Sequence, residues 1–171
     1  MPNWCENTLN VSVENNNSES KEQLEKFIKK AKRQRGEDRT ALSLNKLYRM
    51  PKKYTEGEGW WNWCVSHWGT KWDVKAEISE QGERYIEYFF DSAWSPPTDW
   101  LKKVAKDYPK LHFDLEYAEY GIAFAGEMIC TGGEVVENES HYMSQEEIID
   151  RELGDKEDFE PNSINNKMGG D

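Results

Sequence analysis

Cys64-Val65-Ser66-His67 sets a thiol and an imidazole three residues apart, a spacing at which one helical turn offers two ligands to zinc. Cys5, Cys130, His112 or His141 would have to complete a set of four, and no second closely spaced pair exists. The spacing therefore favours Cys64 as a small core residue and His67 as a surface ring, with no metal and no cofactor. Three scattered cysteines also fall short of an iron–sulfur cluster. Removal of Met1 would expose Pro2, whose secondary amine can act as base or nucleophile. Such work also needs a pocket and an anion-binding partner, and no residue pair compels it.

The tryptophans say more. Trp60, Trp61, Trp63, Trp68 and Trp72 crowd one short stretch, and Trp94 follows in a second aromatic phrase. With His67 and Lys71 as polar neighbours, some of these rings would line a concave surface. A nucleotide-like molecule would stack there, its phosphate drawn to the cation, or a protein partner would be anchored, since Trp is enriched in binding hot spots. The reading the composition favours is that the same rings form a satellite core where aliphatic residues are scarce. Helical spacing places Trp60, Cys64 and Trp68 along one line with Trp61 and Val65 beside it, and Trp63 with His67 on another face. Gly69 ends that helix.

The elements around this stretch follow from periodicity. Leu9, Val11 and Val13 alternate with polar residues as a half-buried strand. Ser20 and Gln23 form a capping box before Leu24, Phe27, Ile28 and Ala31, and this helix is expected to end near Gly36. The stretch from Ala41 to Pro51 is too short and mixed to type. Val74 to Ile78 and Tyr85 to Phe90 read as a hairpin turning at Gln81-Gly82. Ser95-Pro96-Pro97-Thr98 opens a second helix through Tyr108. Leu111 to Tyr117 gives the clearest strand, followed by a hairpin over Ile122 to Cys130 and Glu134 to Val136. Ser144 caps a short helix through Leu153, and the remaining tail offers little to bury. The order is an α+β, ferredoxin-like split βαβ pattern: an antiparallel sheet with helices on one face and an extra C-terminal hairpin. One domain is expected over residues 1–143, with a Trp-rich insertion about 41–72, then a short helix and acidic, mobile tail over 144–171.

The charge is dipolar. Residues 21–53 hold twelve Lys/Arg against four Asp/Glu, while residues 137–171 hold three against eleven, within a net charge of -11. An acidic surface repels nucleic acid and steers towards a basic partner. RNA-binding relatives of this fold read bases with exposed aromatics on the central strands; the Leu9 to Val13 strand exposes only Thr8, Asn10 and Ser12 on one face, and no RNP-like phrase occurs in Tyr85 to Phe90, so nucleic acid is disfavoured. No apolar run approaches the roughly 20 residues of a membrane span. An odd number of widely spaced cysteines suits a reducing cytoplasm.

Pro2-Asn3-Trp4-Cys5 with Asn7, Leu42-Ser43-Leu44-Asn45-Lys46-Leu47 running to Met50-Pro51, Trp68-Gly69-Thr70-Lys71-Trp72-Asp73, and Ala93-Trp94-Ser95-Pro96-Pro97 together resemble the YubB-type ferredoxin-like domain family of bacteriophage and plasmid proteins. The resemblance runs from Pro2 to Tyr120, with Arg49 standing where a proline is expected. It implies the ferredoxin-like fold and a home on mobile genetic elements in a bacterial cytoplasm, and carries over no catalytic residue. The expected function is a non-enzymatic accessory protein that binds a host protein, inhibiting a defence or nucleic-acid enzyme. A nucleotide-binding domain built on the tryptophans is the alternative, followed by a small enzyme using Pro2.

Overall fold

The computed structural model describes residues 3–157. Twelve elements follow in the order β1 (Trp4–Val13), α1 (Ser18–Ala31), α2 (Leu44–Leu47), α3 (Lys52–Thr55), α4 (Trp60–His67), β2 (Ala76–Gln81), β3 (Tyr85–Ala93), α5 (Thr98–Asp107), β4 (Leu111–Glu119), β5 (Phe124–Thr131), β6 (Glu134–Tyr142) and α6 (Gln145–Glu157). The strands form one antiparallel sheet in the order β2-β3-β1-β4-β5-β6. Its first four strands have the ferredoxin-like order, with β1 and β3 central and α1 and α5 as the two crossovers. The β5–β6 hairpin extends the sheet beyond β4.

Alternation decides which face is covered. Leu9 and Val11 of β1, Ile86, Tyr88 and Phe90 of β3, and Leu111, Phe113 and Leu115 of β4 are all buried on one side. Leu24, Phe27 and Ala31 of α1 and Trp100, Leu101, Val104 and Ala105 of α5 close over them. Phe27 is the centre of this packing, its ring edge-on to Tyr108 at 5.2 Å and to Phe113 at 5.7 Å. The opposite face carries Glu6, Thr8, Asn10 and Ser12 along β1. At its far end Met143 and Ile148 pack on Ala118 and Ala125, a small second core under α6.

Helix α1 differs from the periodic reading at both ends. Its cap is Asn17, whose side chain accepts from the Ser20 N–H at 2.9 Å. Gln23, expected to complete a box with Ser20, instead accepts from the Lys110 N–H at 2.7 Å. The helix stops at Ala31, short of Gly36, because Arg33 and Thr40 exchange two backbone hydrogen bonds of 3.0 Å and pull the chain into an extended return. Gly36, at φ 87°, turns that return instead of ending the helix. Strand β6 also runs on past Val136 to Tyr142, paired with β5. The expected acidic tail beyond Glu157 lies outside the described residues.

Among the described residues no helix is long and apolar enough to cross a membrane.

Candidate functional site: a tryptophan ridge

Residues 41–75 form an insertion between α1 and β2, and Asp73 fastens it. One carboxylate oxygen accepts from the backbone N–H groups of Leu44 at 2.6 Å and Val74 at 2.8 Å. The other accepts from the Ser43 hydroxyl at 2.6 Å and the Arg33 guanidinium at 3.1 Å. Thus the end of α1, the start of α2 and the approach to β2 meet on one side chain.

The tryptophans divide into two sets. Trp63 and Trp68 are 5% and 2% exposed and belong to the main core. Trp63 stacks on His67 at 4.4 Å with the rings 7° apart, as their shared helical face predicts, and meets Trp68 edge-on at 5.3 Å. The Trp68 indole N–H donates to the Tyr48 carbonyl at 2.9 Å. The expectation that Trp63 and Trp68 line an open surface is therefore corrected. An eight-residue helix with rings on every side must bury one side, and α4 turns Trp63 and Cys64 inward. His67 covers one face of the Trp63 ring.

Trp60, Trp61 and Trp94 are instead 42–44% exposed. Trp61 meets Trp94 at 6.4 Å and 89°. Lys71 places its ammonium 4.6 Å from the Trp94 ring centre and 4.7 Å from that of Trp72, so the cation is held between two aromatic faces. Trp72 in turn meets Trp4, itself 46% exposed, at 6.1 Å. Trp4 was not legible as a member of this group, because it lies far away in sequence. Register joins them: Trp4, the first residue of β1, pairs with Ala93, the chain neighbour of Trp94. The result is a continuous ridge, Trp4–Trp72–Lys71–Trp94–Trp61, with Trp60 alongside on α4.

Trp94 has φ 72°, a left-handed conformation that costs a residue with a Cβ roughly 1–2 kcal/mol. Its N–H donates to the Asn3 carbonyl at 2.8 Å, which holds the chain in that turn. A strained backbone that presents a large ring to solvent is a feature of binding sites. Between Trp4 and Trp72 opens a cleft of about 470 Å³ whose rim carries Asp73, Lys75 and Asp91.

The other chemistry-bearing residues scatter. Cys64 is 1% exposed, and burial pushes its thiol up to about 11; burial likewise raises Cys5 to about 12 and raises Cys130. These thiols are core residues of low reactivity. The His67 ring is occupied by Trp63 and by the Trp63 carbonyl at 2.9 Å. His112 contacts the Thr131 hydroxyl and His141 contacts Glu147. Pro2 lies outside the described residues.

Over residues 67–160 the chain matches the family described as ferredoxin-like domain in Api92-like protein. The chain belongs to that family. A solved structure similar to it is the crystal structure of a protein api92 from Yersinia pseudotuberculosis, with a TM-score of 0.44 at 14% identity, over 53% of this chain and 33% of that one. The chain thus spans about a third of that relative's length. No curated protein matches.

The open face of the sheet is acidic, in family with the overall charge. Asp114, Glu116 and Glu127 converge within 4.8 Å on neighbouring strands. Burial raises Asp114, and a hydrogen bond shared with Asp114 raises Glu127, with Glu137 and Glu139 adding repulsion. Both carboxyls hold protons more tightly folded than unfolded. Stability therefore falls as pH rises from the unfolded carboxyl range near about 4. Glu127→Gln is expected to stabilise the fold at neutral pH, and this gain should vanish at or below about pH 4. Urea denaturation of both proteins at the two pH values checks it; an equal gain at both would refute the shared proton.

Proposed function

We propose that the protein is a non-enzymatic binding protein that docks a partner protein on the tryptophan ridge. The observation that carries this reading is the exposure of Trp4, Trp61 and Trp94, at 44–46% each, in one contiguous group joined through Trp72 and Lys71. Such a group is costly to leave in water, and it has the composition of an interface hot spot. The chain's charge of -11 and its acidic sheet face favour a basic partner and speed its approach. The resemblance to bacteriophage and plasmid proteins supports the finer reading, a host protein as partner and interference with a defence or nucleic-acid enzyme as the outcome. Burial of Trp63 and Trp68 takes two of the rings away from the nucleotide alternative.

The test compares partner retention by the native chain and by the Trp61→Ala/Trp94→Ala double variant, whose fold is checked by circular dichroism. A partner held in near-equimolar amount should lose at least about 30-fold in affinity, since one hot-spot Trp contributes about 2 kcal/mol or more. A partner retained equally by the folded variant would sink the proposal.

A further inference from the structure

A second cavity, of about 470 Å³, lies away from the ridge, between the last turn of α1, the returning segment 33–41 and the edge strand β2. Its volume is in the range of small-molecule sites. Ile28, Ala41 and Ile78 give it apolar walls, and Lys32, Arg33 and Arg39 line it with positive charge. In a chain with 33 Asp/Glu, no acid lines it. Arg33 is already engaged by Asp73 and Ser43. Lys32 and Arg39 make no ion pair among the described residues. A neighbouring hollow lined by Lys29, Arg35 and Lys46 extends the positive field.

The wall is built rather than loose. The paired backbone bonds between Arg33 and Thr40 close the returning segment, and the Thr40 hydroxyl receives the Ala76 N–H at 2.7 Å while donating to the Leu42 carbonyl at 2.9 Å. The decisive group is Tyr88. It lines the cavity from β3, is 0% exposed, and its hydroxyl has no hydrogen-bond partner. Burial keeps that hydroxyl protonated and therefore a donor. Phenylalanine would fill the same space without leaving a buried polar group unpaired.

We propose that this cavity binds a small organic anion. Its charged head meets Lys32 and Arg39, its apolar body lies between Ile28, Ala41 and Ile78, and a hydrogen-bonding group at its inner end meets the Tyr88 hydroxyl. This site is independent of the ridge and of any protein docked there.

The experiment titrates the isotope-labelled chain with 4-hydroxycinnamate, cinnamate and 4-hydroxycinnamamide, following backbone amide signals by NMR. The first probe should shift Ile28, Thr40 and Ile78 and bind about tenfold more tightly than either other probe, which lacks the inner hydroxyl or the charge. Lys32→Gln/Arg39→Gln should lower affinity for the two anions about tenfold and leave the amide unchanged. Tyr88→Phe should equalise 4-hydroxycinnamate and cinnamate while raising the thermal midpoint of the free chain. No shifts with any probe up to about 5 mM, shifts elsewhere, or equal binding of anion and amide would each overturn the proposal.

Discussion

Asp73→Ala is expected to cost about 3–5 kcal/mol of folding stability, the range for breaking a buried or half-buried charged network from one side. The side chain is 23% exposed, and its two oxygens serve Leu44, Val74, Ser43 and Arg33 at 2.6–3.1 Å. Alanine would leave the Leu44 N–H at the start of α2 without its acceptor and the Arg33 charge, 30% exposed, without its partner. Small domains are stable by only about 5–15 kcal/mol, so the loss is a large share of the whole. Asp73→Asn keeps an acceptor for the backbone donors and removes the charge, and should cost about half as much. Urea denaturation of the three proteins checks both values. A loss under about 1 kcal/mol for alanine would mean that the insertion is held by its leucines alone.

The importance of Asp73 was hidden because its partners lie 1 to 40 residues away and only the folded chain collects them. The strands were readable for the opposite reason. Leu9-Val11 and Leu111-Phe113-Leu115 each face one covered side, so period-two alternation survives in the sequence. Helix α1 was readable along its buried stripe but not at its ends, where the Lys110 N–H donating to Gln23 and the Arg33–Thr40 bridge override local capping signals. The aromatic stretch was visible as a cluster. Its partition was not, because spacing ranks faces of α4 relative to one another without saying which face meets the core. Trp4 joined the ridge only through strand register, and the unpaired Tyr88 hydroxyl has no signature in an alternating apolar strand.

That partition predicts opposite outcomes for two tryptophans seven residues apart. Trp68→Ala removes a ring 2% exposed, its edge contact to Trp63 and its hydrogen bond to Tyr48, and should cost about 3–5 kcal/mol. The Tyr48 carbonyl would lose its indole partner, and a cavity would open in the core where the ring stood. Trp61→Ala removes a ring 44% exposed whose aromatic contact is Trp94, itself half in solvent, and should change stability by no more than about 1 kcal/mol. Denaturation midpoints of the two variants, measured side by side, decide the matter. Comparable losses would make the ridge part of the scaffold and remove the physical basis for docking there. A stable Trp61→Ala protein beside a crippled Trp68→Ala protein would mean that the fold does not need the outer rings, and that their exposure must be explained by what they bind.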